Sequence, residues 1–226
     1  MHLENGDVKA QLEAALSPEV VTAMMAAVKE RQDRMSTETS DKRGRVINAA
    51  ADLIYANGLG KVSLADISEK AGLSLGNLFY YFKAKDSIAE AVIARRGAEF
   101  EAMRAQWDLE PTPQDRLKAF VAMTAGNREN LARAGCPVGS LCAELGKREG
   151  ALAGQSAEPL GRLLAWTEEQ FTAMGLDEAR SALALHLLAS LQGISLLANA
   201  FRDAALVERE AIFLNNWIDT LNPSQG

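Results

Sequence analysis

Cysteine and histidine are nearly absent from this 226-residue chain, which has two of each. Two cysteines, Cys136 and Cys142, cannot build a disulfide framework, and no CxxC pair or Cys/His cluster offers a zinc site. Apart from His186 there is only His2, so neither a histidine metal site nor a Ser-His-Asp triad finds its partners; no metal and no cofactor is expected. Basic charge is also short, with 24 Lys and Arg against 30 Asp and Glu and a formal net charge of -6. That excludes a surface that is cationic all over. No strand-like period-2 alternation is found. The longest uncharged apolar run, "ALALHLLASLQGISLLANAF" (182–201), contains His186, Gln192 and Asn199 and reads as a buried helix rather than a membrane span. The opening "MHLENGDVKAQLEAAL" lacks the basic start and apolar centre of a secretory leader, so a cytoplasmic, reducing location is expected.

What the chain has in quantity is helical periodicity and unevenly spread charge. Residues 41–96 carry 9 basic and 6 acidic side chains, while the segments before and after are net acidic. One basic module on an acidic protein suits a polyanion touched locally. Residues 1–40 read as an appendage: two short amphipathic helices, on Val8, Leu12 and Leu16 and on Val20, Met24 and Val28, followed by the polar linker "RMSTETSDKRGR". A helix marked by Val46, Ile47, Ala50, Leu53 and Ile54 then stops at Asn57-Gly58. Ser63-x-x-Asp66 has capping-box spacing and opens a helix of about two turns. Gly72 breaks it, and Ser74 caps a third helix running to Phe82. Two helices joined by a short glycine-containing turn make the helix-turn-helix arrangement.

That third helix holds four consecutive aromatics, Phe79 to Phe82. At about 100° per residue, Ser74, Leu78 and Phe82 share one face, Gly76 and Tyr80 lie opposite, and Asn77 and Phe79 flank them. Phe82 fits a core. A helix this short cannot bury its whole circumference, so Tyr80 needs another use. Gly76 permits close backbone approach, Asn77 can pair with a base edge, and Tyr80 can reach phosphate or stack on sugar and base. Lys83 and Lys85 add phosphate-seeking charge.

The stretch "RVINAAADLIYANGLGKVSLADISEKAGLSLGNLFYYFKAKDSI" (45–88) closely resembles the DNA-binding region of tetracycline-repressor-like (TetR family) transcriptional regulators. Ala50, Gly58, Ser63, Ile67, Ala71, Gly72, Ser74, Gly76, Leu78, Phe82, Lys85 and Asp86 match its pattern without a gap. The resemblance implies an all-α fold: an N-terminal three-helix helix-turn-helix DNA-binding domain (41–88) and a C-terminal helical ligand-binding and dimerisation domain (89–226). It implies a non-enzymatic, ligand-responsive regulator, by family default a repressor. As a homodimer it would bind a palindromic double-stranded DNA operator and be released by a small, largely apolar or electrophilic effector. Carried over by position, Leu75, Gly76, Asn77, Phe79, Tyr80 and Tyr81 face DNA, with Ser63 and Lys85 on phosphate. Phe79 stands where the family usually has tyrosine, so packing on the sugar-phosphate surface replaces a hydroxyl contact there. Leu75 suits a thymine methyl.

The remainder is expected to form helices over 85–107, from Thr112-Pro113 to about Leu131, over 140–146, from Ser156 to Met174, from an Asp177 cap to Phe201, and over 206–221. Met103, Trp107, Phe120, Met123, Trp166, Phe171 and Met174 are candidates to line an effector chamber, and each fits an ordinary core equally. "GCPVGSLCAELG" (135–146) resembles a stretch near the ligand chamber of some family members, similar to sensors of reactive carbonyls or quinones. It makes Cys136 and Cys142 candidate chamber thiols, with small packing residues as the plainer reading. The helices at 178–201 and 206–221 are the candidate dimer surface, through His186, Ser190, Gly193, Leu197, Phe213 and Trp217, with small Ala184 and Ala198 allowing close approach. Two other readings stand beside the regulator: a helical interaction protein that has lost DNA binding, and a small enzyme using a cysteine with His186.

Overall fold

A computed structural model describes residues 41–221. The two short helices expected in residues 9–35 lie outside the described residues. The chain divides into two compact units, 1–46 and 47–226, and the site described below is built within the second. Among the described residues all regular structure is helical.

Helix α1 (residues 41–57) ends where Gly58, at φ +83°, returns its N–H to the Ile54 carbonyl at 2.8 Å. Helix α2 (Leu64–Lys70) starts with the full capping box: Ser63 Oγ accepts from the Asp66 N–H at 3.1 Å, and the Asp66 carboxylate accepts from the Ser63 N–H at 2.8 Å. Helix α3 (Leu75–Tyr81) is capped by Ser74, whose Oγ accepts from the Asn77 N–H at 3.2 Å. These are local interactions between residues three apart, and each satisfies an otherwise orphaned N–H of a first turn. Ile67, Leu78, Phe82 and Ile88 are all buried, so α2, α3 and the next helix each give one apolar side to this small module.

Helix α4 (Lys85–Trp107) leaves the module and becomes the first long rod of a larger helical body. There follow α5 (Pro113–Gly126), α6 (Arg128–Ala134), α7 (Pro137–Leu145), α8 (Ala151–Ala173), α9 (Arg180–Phe201) and α10 (Ala205–Thr220). Helix α8 packs against α4, α7 and α9, and α10 packs against α5 and α9. Between them lies an aromatic core. The Trp107 ring centroid is 5.0 Å from Phe120 and 5.2 Å from Trp166, and Phe171 meets Trp217 at 6.2 Å. Trp166 keeps its indole N–H satisfied on the Asp108 carboxylate at 2.9 Å, as a buried tryptophan requires.

The structure moves several of the expected boundaries. The helix expected from Thr112 to about Leu131 is two helices, interrupted at Asn127, whose ψ of 10° breaks the i→i−4 ladder. Helix α7 begins at Pro137 and not at 140, because Pro137 takes the first helical position and Cys136 Sγ receives the Gly139 N–H at 3.3 Å as a cap. Helix α8 begins at Ala151, five residues before Ser156, and carries Pro159 in its interior. Asp177 does not cap α9: residues 177–179 form a turn, Ala179 stands at the cap, and the Asp177 carbonyl accepts from the Arg180 guanidinium at 2.7 Å.

Candidate nucleic-acid interface and effector cavity

The outer edge of α3 is open. Tyr80 is 70% exposed while Leu78, two residues away, is fully buried, and Gly76, Asn77, Leu75 and Phe79 are exposed with Tyr80. Tyr81 is half-buried, its ring meeting that of Tyr80 edge-on at 5.0 Å, which steadies Tyr80 from the side. Lys83 is exposed just beyond the helix and Lys85 is half-buried at the first position of α4. Ser63 sits differently from a free phosphate donor: its hydroxyl proton goes to the Asp66 carboxylate at 2.7 Å and its oxygen takes the Asp66 N–H. The cap therefore takes that hydroxyl's only proton and one of its two lone pairs.

The same cap sets the Asp66 carboxyl below its ordinary value of 3.8, first through the Ser63 backbone N–H and then through the Ser63 side chain. A lowered native value means that the cap stabilises the fold above the ordinary carboxylate range and is lost as pH falls through the lowered value. Titration of the Asp66 carboxyl by NMR is expected to give a midpoint below 3.8 in the native protein. In Ser63→Ala it moves back towards that value, because the side-chain bond is gone.

The helical body is hollow. A cavity of about 400 Å³ lies between α4, α5, α6, α7, α8 and α9, a volume suited to one small organic molecule. Its wall is mostly apolar, with Phe100, Met103, Phe120, Met123, Leu131, Val138, Leu163 and Leu191, and its polar groups are fewer: Thr124, Asn127, Gln192, Ser195, Cys136, and Arg96 with Glu99. Four of the sequence-expected residues, Met103, Phe120, Met123 and Cys136, stand in this wall. Trp107, Trp166 and Phe171 do not: they are buried in the aromatic core behind it. Met174 packs against that same core. Cys142 also lies outside the wall, donating its S–H to the Ser156 carbonyl at 2.7 Å. Burial pushes the Cys142 thiol up, partly offset by Ser156, so it stays protonated and weakly nucleophilic at neutral pH. Both cysteines are free thiols. Sequence reasoning missed Gln192, Asn127 and Leu191; the Gly126-Asn127 pair inside an apolar pattern was the one local sign of a wall residue there.

Helices α9 and α10 together present a third feature, an uncovered apolar face. Leu185, Leu196 and Phe201 on α9 and Ile212 and Phe213 on α10 are each more than half exposed, and Leu197 is nearly so. Exposed His186 stacks edge-on against half-buried Trp217 at 4.9 Å, and Ser190 and Gly193 are half-buried nearby. Ala184 and Ala198 are fully buried inside the subunit, so these small residues serve the protein's own core and not a partner's approach. By length and composition α9 is apolar enough to cross a membrane, yet Leu187, Leu188 and Leu191 are buried in the core between the other helices. Among the described residues no group of three or more His, Cys, Asp or Glu is placed to hold a metal ion.

A two-helix turn with an open second helix, joined to a helical body that holds a cavity, defines a helix-turn-helix fold. Residues 46–92 match the family of bacterial regulatory proteins, tetR family. The uncharacterised HTH-type transcriptional regulator YvdT of Bacillus subtilis (strain 168) is 36% identical over 58 residues, 26% of this chain and 30% of that protein. The HTH-type transcriptional regulator UidR of Escherichia coli (strain K12) is 33% identical over 61 residues, 27% of this chain and 31% of UidR. The matched region thus spans about a third of the length of these relatives. Over the whole fold, a crystal structure of a TetR transcriptional regulator from Chloroflexus aurantiacus superposes with a TM-score of 0.72 at 20% identity, covering 81% of this chain and 97% of that one. Residues 46–92 thus match the tetR-family helix-turn-helix, and the fold of the Chloroflexus aurantiacus regulator covers 81% of this chain.

Proposed function

We propose that the protein is a ligand-responsive transcriptional regulator, acting in the cytoplasm as a repressor that binds a palindromic DNA operator as a homodimer. One observation supports this above the rest: the Gly76-Asn77-Tyr80 edge of α3 faces solvent, with Leu78 and Phe82 anchoring the opposite side. An open edge with a small residue, an amide and a phenol matches what a helix needs to lie in a major groove, and Lys83 and Lys85 add phosphate contacts that carry no sequence information. Phe79 packs on the sugar-phosphate surface and Leu75 meets a thymine methyl. The apolar face of α9 and α10 joins two subunits, so two recognition helices engage two half-sites together and gain avidity neither has alone. The cavity admits a largely apolar effector bearing one or two hydrogen-bonding groups for Asn127 or Gln192. If that effector is a soft electrophile, Cys136 is the thiol it meets in the wall.

The test uses the duplex that the purified protein selects from a random pool. Binding is expected to weaken steeply with salt, and Tyr80→Ala to lower affinity by roughly 1–3 kcal/mol, about 5- to 150-fold, at fixed salt. Recovery of no duplex would favour the interaction-protein reading, and an unchanged affinity in Tyr80→Ala would take Tyr80 out of the interface.

A further inference from the structure

Beside the side-chain pairs Asn48–Arg95 and Asp86–Arg148, two side chains clasp the helix-turn-helix to the helical body through backbone groups, and both clasps involve the short stretch of chain that also walls the cavity. From α1, the Tyr55 hydroxyl donates its single proton between the carbonyls of Asn130, at 3.0 Å, and Gly135, at 2.9 Å. From α7, the Glu144 carboxylate accepts the backbone N–H groups of Leu59, at 2.7 Å, and Gly60, at 2.5 Å, in the loop between α1 and α2. A Cβ at Gly60 would lie 3.1 Å from Glu144 Oε1, so the loop's second glycine is what lets the carboxylate come so close. These are charge-assisted bonds to otherwise unpaired backbone donors, the stronger kind.

Between the two clasps, Leu131, Cys136, Pro137 and Val138 are cavity wall. The Tyr55 ring has Arg96, another wall residue, over its face at 5.9 Å. Burial raises the Tyr55 pKa against the opposing Arg133 and Arg96, so the phenol keeps the proton it donates. The stretch is also held from its far side. Asn199 at the end of α9 donates to the Ala132 carbonyl at 3.2 Å, and the guanidinium of Arg202, which sits in the left-handed region at φ 55°, reaches the carbonyls of Ala132 and Arg133. A segment fixed behind and clasped in front has one soft side, the cavity.

We propose that Tyr55 and Glu144 are the positioning residues through which occupancy of the cavity reaches the DNA-binding helices. An occupant that displaces the α6–α7 stretch moves the Asn130 and Gly135 carbonyls away from Tyr55 and turns α7, drawing Glu144 off the α1–α2 loop. The helix-turn-helix, released at both points, then leaves the orientation that two half-sites require. The inference rests on the regulator reading for its purpose, though the coupling itself is a property of the protein alone.

A wedge can be built in genetically, because a Cβ at Gly139 would come within 2.3 Å of Gln192 Oε1 and 3.3 Å of Cys136 Cβ, at the seam of α7 and the cavity. Amide hydrogen exchange of the full chain is measured for the native protein, for Gly139→Leu, for Tyr55→Phe with Glu144→Gln, and for the three changes combined. Tyr55→Phe keeps the ring and removes its donor, and Glu144→Gln keeps the shape while removing the charge and turning one acceptor oxygen into an amide donor, so both clasps are weakened with little change of volume. The wedge is expected to speed exchange over residues 58–82 by roughly tenfold, the size of a typical coupling between sites. The latch variants speed it similarly, and adding the wedge to them adds no more than about twofold, the non-additivity expected of one shared network. A wedge without effect on residues 58–82, or one equally effective after the clasps are gone, overturns the proposal. DNA selection is scored separately: protein that shows the exchange pattern and selects no duplex refutes the regulator reading and leaves the latch standing.

Discussion

Replacing Trp107 with alanine is expected to cost about 3–5 kcal/mol of stability, the range for removing a large aromatic from a close-packed core. Trp107 is 5% exposed and sits between Phe120 and Trp166 at the end of α4. Its removal strips the packing from both neighbours and leaves a void that α5 and α8 cannot close without bending. A domain of ordinary stability has only about 5–15 kcal/mol in total, so the variant falls close to the folding threshold. Urea unfolding followed by tryptophan fluorescence checks this, with Phe79→Ala as the control. Phe79 is a comparable aromatic that is 40% exposed, and its loss is expected to shift the midpoint little. A shift in Phe79→Ala as large as in Trp107→Ala would mean that the exposed edge of α3 is part of a core. Since Phe120 belongs to both the core and the cavity wall, Trp107→Ala is also expected to widen the cavity.

The helix-turn-helix was legible because its signals are short-range. Ser63 with Asp66, Ser74 with Asn77, and the glycines at 58 and 72 act over three or four residues, and the face assignment of α3 follows from helical geometry alone. The body was less legible where distant contacts decide. Nothing near Ser156 says that α8 starts five residues earlier, and Glu144 reaches its partners across 84 and 85 residues of chain. Composition also failed to separate cavity from core: Trp107, Trp166 and Phe171 are large apolar residues on helices, as Phe120 and Met123 are, and only the helix axes determine which of them meets open space. For α9 the ambiguity was of another kind. A helix apolar nearly all round gives no phase to its pattern, so Ala184 and Ala198, which line the subunit's own core, were indistinguishable in sequence from Ser190 and Gly193.

That undivided apolar surface leads to the second large effect. For the homodimer proposed above, Phe213→Asp is expected to raise the dissociation constant by about 10²- to 10³-fold, because association through this face would bury a carboxylate with no partner, at a cost of several kcal/mol. Phe213 is 61% exposed in the single subunit, so the substitution leaves the isolated fold intact and acts on association. Sedimentation at a series of concentrations reads the dissociation constant directly. DNA affinity is expected to fall with it at protein concentrations where the variant is monomeric, since one recognition helix alone loses the avidity of two half-sites. The apparent stability of the native protein should also rise with concentration, as it does whenever assembly is coupled to folding. In Phe213→Asp that dependence should vanish over the same range. An unchanged dissociation constant in Phe213→Asp would mean that the subunits meet elsewhere, and that the exposed leucines of α9 serve another partner.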